Sequence, residues 1–140
     1  MQREQLANMY LEYLKSEGYC PHLDDDGDVV FKYEGRHYAI LIDPKDAGYF
    51  RLVFPNFWAI EDEESRYRAI VAAHHATSRV KVAKVFVVRD DTWASIELFC
   101  SPPQVFQDVF ERALGAIQAA VKAFLEQIHE IETDEADEED

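Results

Sequence analysis

The stretch from Phe106 to Ile128 constrains this chain more than any other. Phe106, Val109, Phe110, Ala113, Leu114, Ile117, Ala120, Val121, Phe124, Leu125 and Ile128 recur at intervals of three and four, the spacing that gathers side chains on one face of an α-helix. At about 100° per residue they cover an arc of roughly 160°, wider than a single sheet contact uses. Carried to about Glu130, the helix is roughly 40 Å long, whereas a compact domain of this size is roughly 35–40 Å across. A helix of this kind needs a sheet beneath it, and part of its surface is expected to meet something further, such as a second subunit. Ser101-Pro102-Pro103-Gln104 marks its start: a capping hydroxyl, proline at the first helical position and an amide at the third.

The sheet is legible upstream. Val29–Tyr33 and Arg36–Ile42 are two β-rich runs joined by Glu34 and Gly35, a two-residue loop whose glycine accepts positive φ, so they pair as a hairpin. Tyr49–Phe54 adds a strand that Pro55 closes, and Tyr19–Leu23 is confined to an edge by Pro21. A meander is the simplest arrangement. A second hairpin is expected from Val80–Val88 and Thr92–Phe99 across Asp90 and Asp91. Two more helices flank these strands. Leu6, Met9, Tyr10, Tyr13 and Leu14 give the first an apolar face ending at Gly18, and Asp62 caps the second, which runs to about Ser78. The second helix bears two stripes on nearly opposite sides, one of Tyr67, Ile70, Val71 and His74, the other of Ala69, Ala72, Ala73 and Ala76. The fold class is α+β, an antiparallel sheet packed by helices.

Of the 28 acidic residues, eight lie between Glu130 and Asp140, where there is no Lys or Arg. Residues 1–131 read as a single domain and 132–140 as a disordered acidic tail. The net charge of −14 disfavours contact with phosphate backbones, so no nucleic-acid partner is expected. No apolar run reaches the length of a membrane span and the first residues lack a signal-peptide centre, which points to the cytoplasm. Cys20 and Cys100 stand 80 residues apart, matching neither a redox pair nor a zinc site, and read as buried thiols.

Chemistry is hard to place. Asp24, Asp26 and Asp28 alternate as in a calcium loop, but Gly27 and Gly35 fall where that loop does not want them. His74 and His75 point about 100° apart and cannot share a metal. No nucleophile motif and no phosphate-binding glycine loop is present, and no cofactor is expected. An enzyme whose site assembles from residues distant in sequence stands as the alternative reading. Phe57 and Trp58, in the run Asn56–Ile60, either cap the core or anchor a partner, and Trp93 alternates in phase with Ser95, Glu97 and Phe99 on the less buried face of its strand.

Several stretches resemble the YbjN family, described as bacterial sensory-transduction regulators with the type III secretion chaperone-like fold. They are Glu17-Gly18-Tyr19, Val30-Phe31-Lys32-Tyr33-Glu34-Gly35, Ile40-Leu41-Ile42-Asp43 followed by Asp46, Tyr49, Phe50 and Pro55, then Lys84-Val85, Trp93-Ala94-Ser95-Ile96-Glu97 and the helix start from Phe106 to Leu114. The resemblance implies a cytoplasmic, non-enzymatic module, chaperone-like or regulatory, that binds a protein partner as a homodimer. In secretion chaperones the second helix commonly builds the dimer contact. The resemblance therefore assigns that contact to Ala69, Ala72, Ala73 and Ala76, a stripe suited to close helix pairing. Phe57, Trp58 and Trp93 are the expected partner-binding residues.

Overall fold

Alternating β-branched and aromatic residues build the sheet. The computed structural model describes residues 1–139, and in it β1 (His22–Leu23), β2 (Val29–Tyr33), β3 (Arg36–Ile40), β4 (Tyr49–Phe54), β5 (Ala83–Val88) and β6 (Asp91–Phe99) form one antiparallel sheet. The order is β1-β2-β3-β4-β6-β5. The first four strands are the expected meander, and the β5–β6 hairpin docks through its second strand, so β6 lies beside β4 and β5 becomes an edge. The β2–β3 turn places both Glu34 and Gly35 at positive φ, the backbone twist that two-residue hairpins favour.

One face of the sheet carries Phe31, Tyr38, Ile40, Phe50, Leu52, Ala94 and Ile96, all buried. Against it lie α1 (Arg3–Ser16) and α3 (Phe106–Glu139). Phe106 is the junction: its ring meets Tyr10 edge-on at 4.7 Å, Tyr13 edge-on at 5.0 Å and Phe50 at 5.6 Å. Packing on α1, on the sheet and on α2 (Glu63–Arg79) uses most of the wide apolar arc of α3 within one chain, with Leu125 left exposed. The Asp62 carboxylate accepts from the Ser65 amide at 2.7 Å and starts α2. Near its other end, the Thr77 hydroxyl accepts from the Val85 amide at 2.9 Å and donates to the Val85 carbonyl at 3.3 Å. The outer edge of β5 is thereby occupied at Val85.

The structure departs from the sequence reading at several points of the fold. Ser101 makes no capping bond; Pro103–Val105 form a single 3-10 turn and α3 begins at Phe106. Residues 132–139, expected as a disordered tail, continue α3 as helix, with Glu135 paired to Arg68 of α2; Asp140 lies outside the described residues. Cys100 is buried but Cys20 is exposed. Finally, the second hairpin turns at Arg89 and Asp90, with Asp91 already in β6, and β5 starts at Ala83 instead of Val80.

That late start has a local cause. The Ala83 amide donates to the Lys81 carbonyl at 2.7 Å across Val82, whose φ is +69°. This is the strained γ-turn, and a β-branched side chain is the least suited to it. Val82 is 59% exposed, so its side chain recovers little by packing. Val82→Gly is therefore expected to raise stability by about 1 kcal/mol, strain relief exceeding the added freedom of the unfolded chain. An unchanged or lowered urea midpoint would show that the turn is not strained.

Candidate functional site

The sheet face turned away from α1 and α3 has a different chemistry. Register places Tyr49 beside Phe99, Arg51 beside Glu97, Val53 beside Ser95, Lys84 beside Ser95 and Phe86 beside Trp93, and directly paired residues share a face. At its centre the Glu97 carboxylate accepts from the Tyr49 hydroxyl and pairs with the Lys84 ammonium. The Arg51 Nε stands 3.4 Å away and the Ser95 hydroxyl 3.3 Å away. Burial on its own would raise the Glu97 carboxyl, but the hydrogen bonds from Lys84 and Tyr49 and the charges of Lys84 and Arg51 outweigh it and hold the group below the usual glutamate range. Burial, with the hydrogen bond to Glu97 and its negative charge, pushes the Tyr49 hydroxyl up, against the opposing charge of Arg51. Glu97 is spent on holding this face together.

A carboxyl depressed in the folded state contributes stability above its unfolded pKa and loses it as pH falls through the folded value. The stability gap between wild type and Glu97→Gln should thus be widest near neutral pH and shrink from about pH 5 downward. Urea titrations of both proteins across that range check this; a gap independent of pH would mean that Glu97 is not ionised in the network.

Apolar rings flank the charged centre. Phe99 is 86% exposed, with its ring 6.1 Å from that of Tyr49. At the opposite end Trp93 and Phe86 stand 6.3 Å apart, and the Trp93 indole N–H donates to Asn56 Oδ1 at 3.0 Å. Trp93 is half-buried on this face, where the strand alternation puts it. Phe57 and Trp58 are elsewhere and committed: Phe57 stacks on Phe54 at 5.6 Å, and both rings meet Phe124 edge-on at 5.2 and 5.7 Å. The backbone of their loop bonds to Thr92 and Asp90. Both are half-buried and pack onto the core, as the capping reading expects.

The reading of the alanine stripe is corrected. Ala69, Ala72, Ala73 and Ala76 are buried within this chain, in the helix that packs against α3 and β5, and they offer nothing to a second copy. The other stripe faces outward, with Tyr67 at 66% and Ile70 at 54% exposure and His74 exposed beside them. The sequence placed Phe99 on the less buried face of its strand without marking it as a contact residue, and left open which stripe of α2 packs. Phe99 was discoverable, since it shares its phase with Ser95 and Glu97. Among the described residues no group of three His, Cys, Asp or Glu side chains converges with the geometry of a metal site, and no helix is long and apolar enough to cross a membrane.

No family model matches the sequence, and no curated protein matches it. A crystal structure of an uncharacterized protein from Methanothermobacter thermautotrophicus is similar in fold, with a TM-score of 0.57 and 14% identity over 91% of this chain and 97% of that one. At that identity the likeness concerns the fold alone.

Proposed function

We propose that this protein is a non-catalytic binding module of the cytoplasm, chaperone-like or regulatory, that holds a protein partner and works as a homodimer. One observation carries the reading: large apolar side chains, Phe99 above all, stand in solvent on a scaffold whose own core is already filled. Exposed aromatics on a rigid sheet are the usual anchors of protein interfaces. The resemblance to the YbjN regulators, carried by the residues quoted above, supports the same class. The net charge of −14 favours a protein over a nucleic acid as the partner.

With the alanines inside, the dimer contact moves to the outer face of α2. Tyr67, Ile70 and His74 lie three and four residues apart there, the spacing at which one helix presents a continuous stripe to another. Sedimentation equilibrium of the wild type should give twice the chain mass of 16.2 kDa, and Ile70→Glu should sediment as a folded monomer. A wild type that remains monomeric at high micromolar concentration removes the dimer. For the binding reading, affinity capture from the native cell is compared between wild type and Trp93→Ala/Phe99→Ser. The expected result is a specific protein held by the first and lost by the second, with an unchanged circular-dichroism melt. An identical capture by both would refute the role of this face.

A further inference from the structure

The ladder between β5 and β6 ends at Ala83 and Ile96, although β6 continues to Phe99. On the β4 side the Cys100 amide donates to the Gly48 carbonyl at 2.7 Å. Alternation along an antiparallel strand then directs the backbone groups of Ile96 and Leu98 toward β4, and those of Glu97 and Phe99 toward the other side. There the γ-turn at Val82 has taken the chain out of register. Two amides and two carbonyls of a central strand are left without a strand partner.

Beside this open edge runs a groove of about 270 Å³. Ile96 and Leu98 form its floor, and Val109, Ala113 and Ala116 of α3 form its wall. Val82, Lys81 and Arg112 complete its lining; the two cations are exposed, and neither has a carboxylate within ion-pairing distance among the described residues. In a chain with twice as many acids as bases, two unpaired cations on one apolar groove are a local reversal of sign. The volume is below the range of roughly 300–1,000 Å³ typical for small-molecule sites and suits side chains projecting from a strand.

We propose that this groove receives an extended, acidic-apolar segment of the partner protein as a strand added to β6. Its amides and carbonyls complete the bonds of Glu97 and Phe99. Apolar side chains at alternate positions enter between Leu98 and Val109, and a carboxylate, from Asp, Glu or a chain terminus, meets Lys81 and Arg112. Edge pairing supplies affinity, and the groove and its cations supply the selection. Thr77 occupies the outer edge of β5 at Val85, whereas the end of β6 offers open backbone groups directly beside the groove. This inference rests on the binding-module reading and gives it an address.

The test uses the full chain and a phage-displayed library of random peptides of about twelve residues. Enriched sequences should alternate apolar residues with Asp or Glu. Synthetic copies should bind the wild type, protect the Glu97 and Phe99 amides from hydrogen exchange, and lose binding when alternate backbone amides are N-methylated. Lys81→Glu/Arg112→Glu changes only exposed side chains, and Ala116→Leu fills the groove from a half-buried helix position; each should weaken binding by about tenfold or more. No enrichment, enriched peptides without acids, protection at other amides, or equal binding by both variants would each overturn the proposal. If the native partner is lost with Trp93→Ala/Phe99→Ser yet held by both groove variants, the groove is wrong and the binding module stands. If all these variants hold it, both readings fall.

Discussion

Ala73→Glu is expected to destabilise this protein severely at any concentration, and not to dissociate a dimer. Ala73 is 5% exposed and its neighbours Ala69, Ala72 and Ala76 are fully buried, in the helix that α3 and β5 contact. Only a methyl group fits such an approach. A glutamate side chain must either carry its carboxylate into the core, at a cost of several kcal/mol, or force the helices apart, at about 1–3 kcal/mol. Taken with the total stability of about 5–15 kcal/mol usual for a domain, a loss of several kcal/mol removes a large part of the margin and lowers the melting midpoint steeply. Thermal melts followed by circular dichroism at two widely separated concentrations check this. A folded Ala73→Glu with a wild-type midpoint would show the alanine stripe to be open to solvent.

Phe106→Ala should be the most costly truncation in the core, at about 3–5 kcal/mol. The ring is fully buried and joins three elements at once: Tyr10 and Tyr13 of α1, Phe50 of β4, and α3 itself. Edge-on aromatic pairs contribute beyond the area they bury, so the loss exceeds that of an isolated phenylalanine. Tyr10 lies in the same pocket, and burial, assisted by the neighbouring Cys100 thiol, pushes its hydroxyl far up. Urea unfolding of Phe106→Ala should show a lower midpoint with an unchanged slope, while Phe106→Leu should cost less than half as much. Equal midpoints for wild type and Phe106→Ala would mean that α1 docks by other contacts.

Local structure was largely legible before the fold was known. The hairpin through Glu34 and Gly35, the Asp62 cap, the end of α1 at Gly18 and the strand phases all depend on residues within a few positions of each other. Chain periodicity also placed Trp93, Glu97 and Phe99 on one face, where they are found. The candidate site was only half legible. Its exposed face followed from alternation, but the groove beside it arises from the γ-turn at Val82 and from how far β5 falls short of β6, and neither leaves a trace in hydrophobic pattern.

The two stripes of α2 show where reading by pattern stops. On hydrophobicity alone, Tyr67 and Ile70 belong inside and the alanines can serve as well outside. The structure buries the alanines because α3 and β5 leave room for nothing larger. Residues 132–139 make the same point: their composition is that of a solvated tail, yet Arg68 holds Glu135 from a neighbouring helix. The sequence by itself determined which segments are helix or strand and which side of most of them is apolar, because those depend on side-chain period. Only the tertiary structure decided which apolar stripe is core, which strand end stays open and which rings stand in solvent. Those outcomes depend on distances between segments remote in the chain, and a pattern along one dimension does not contain them.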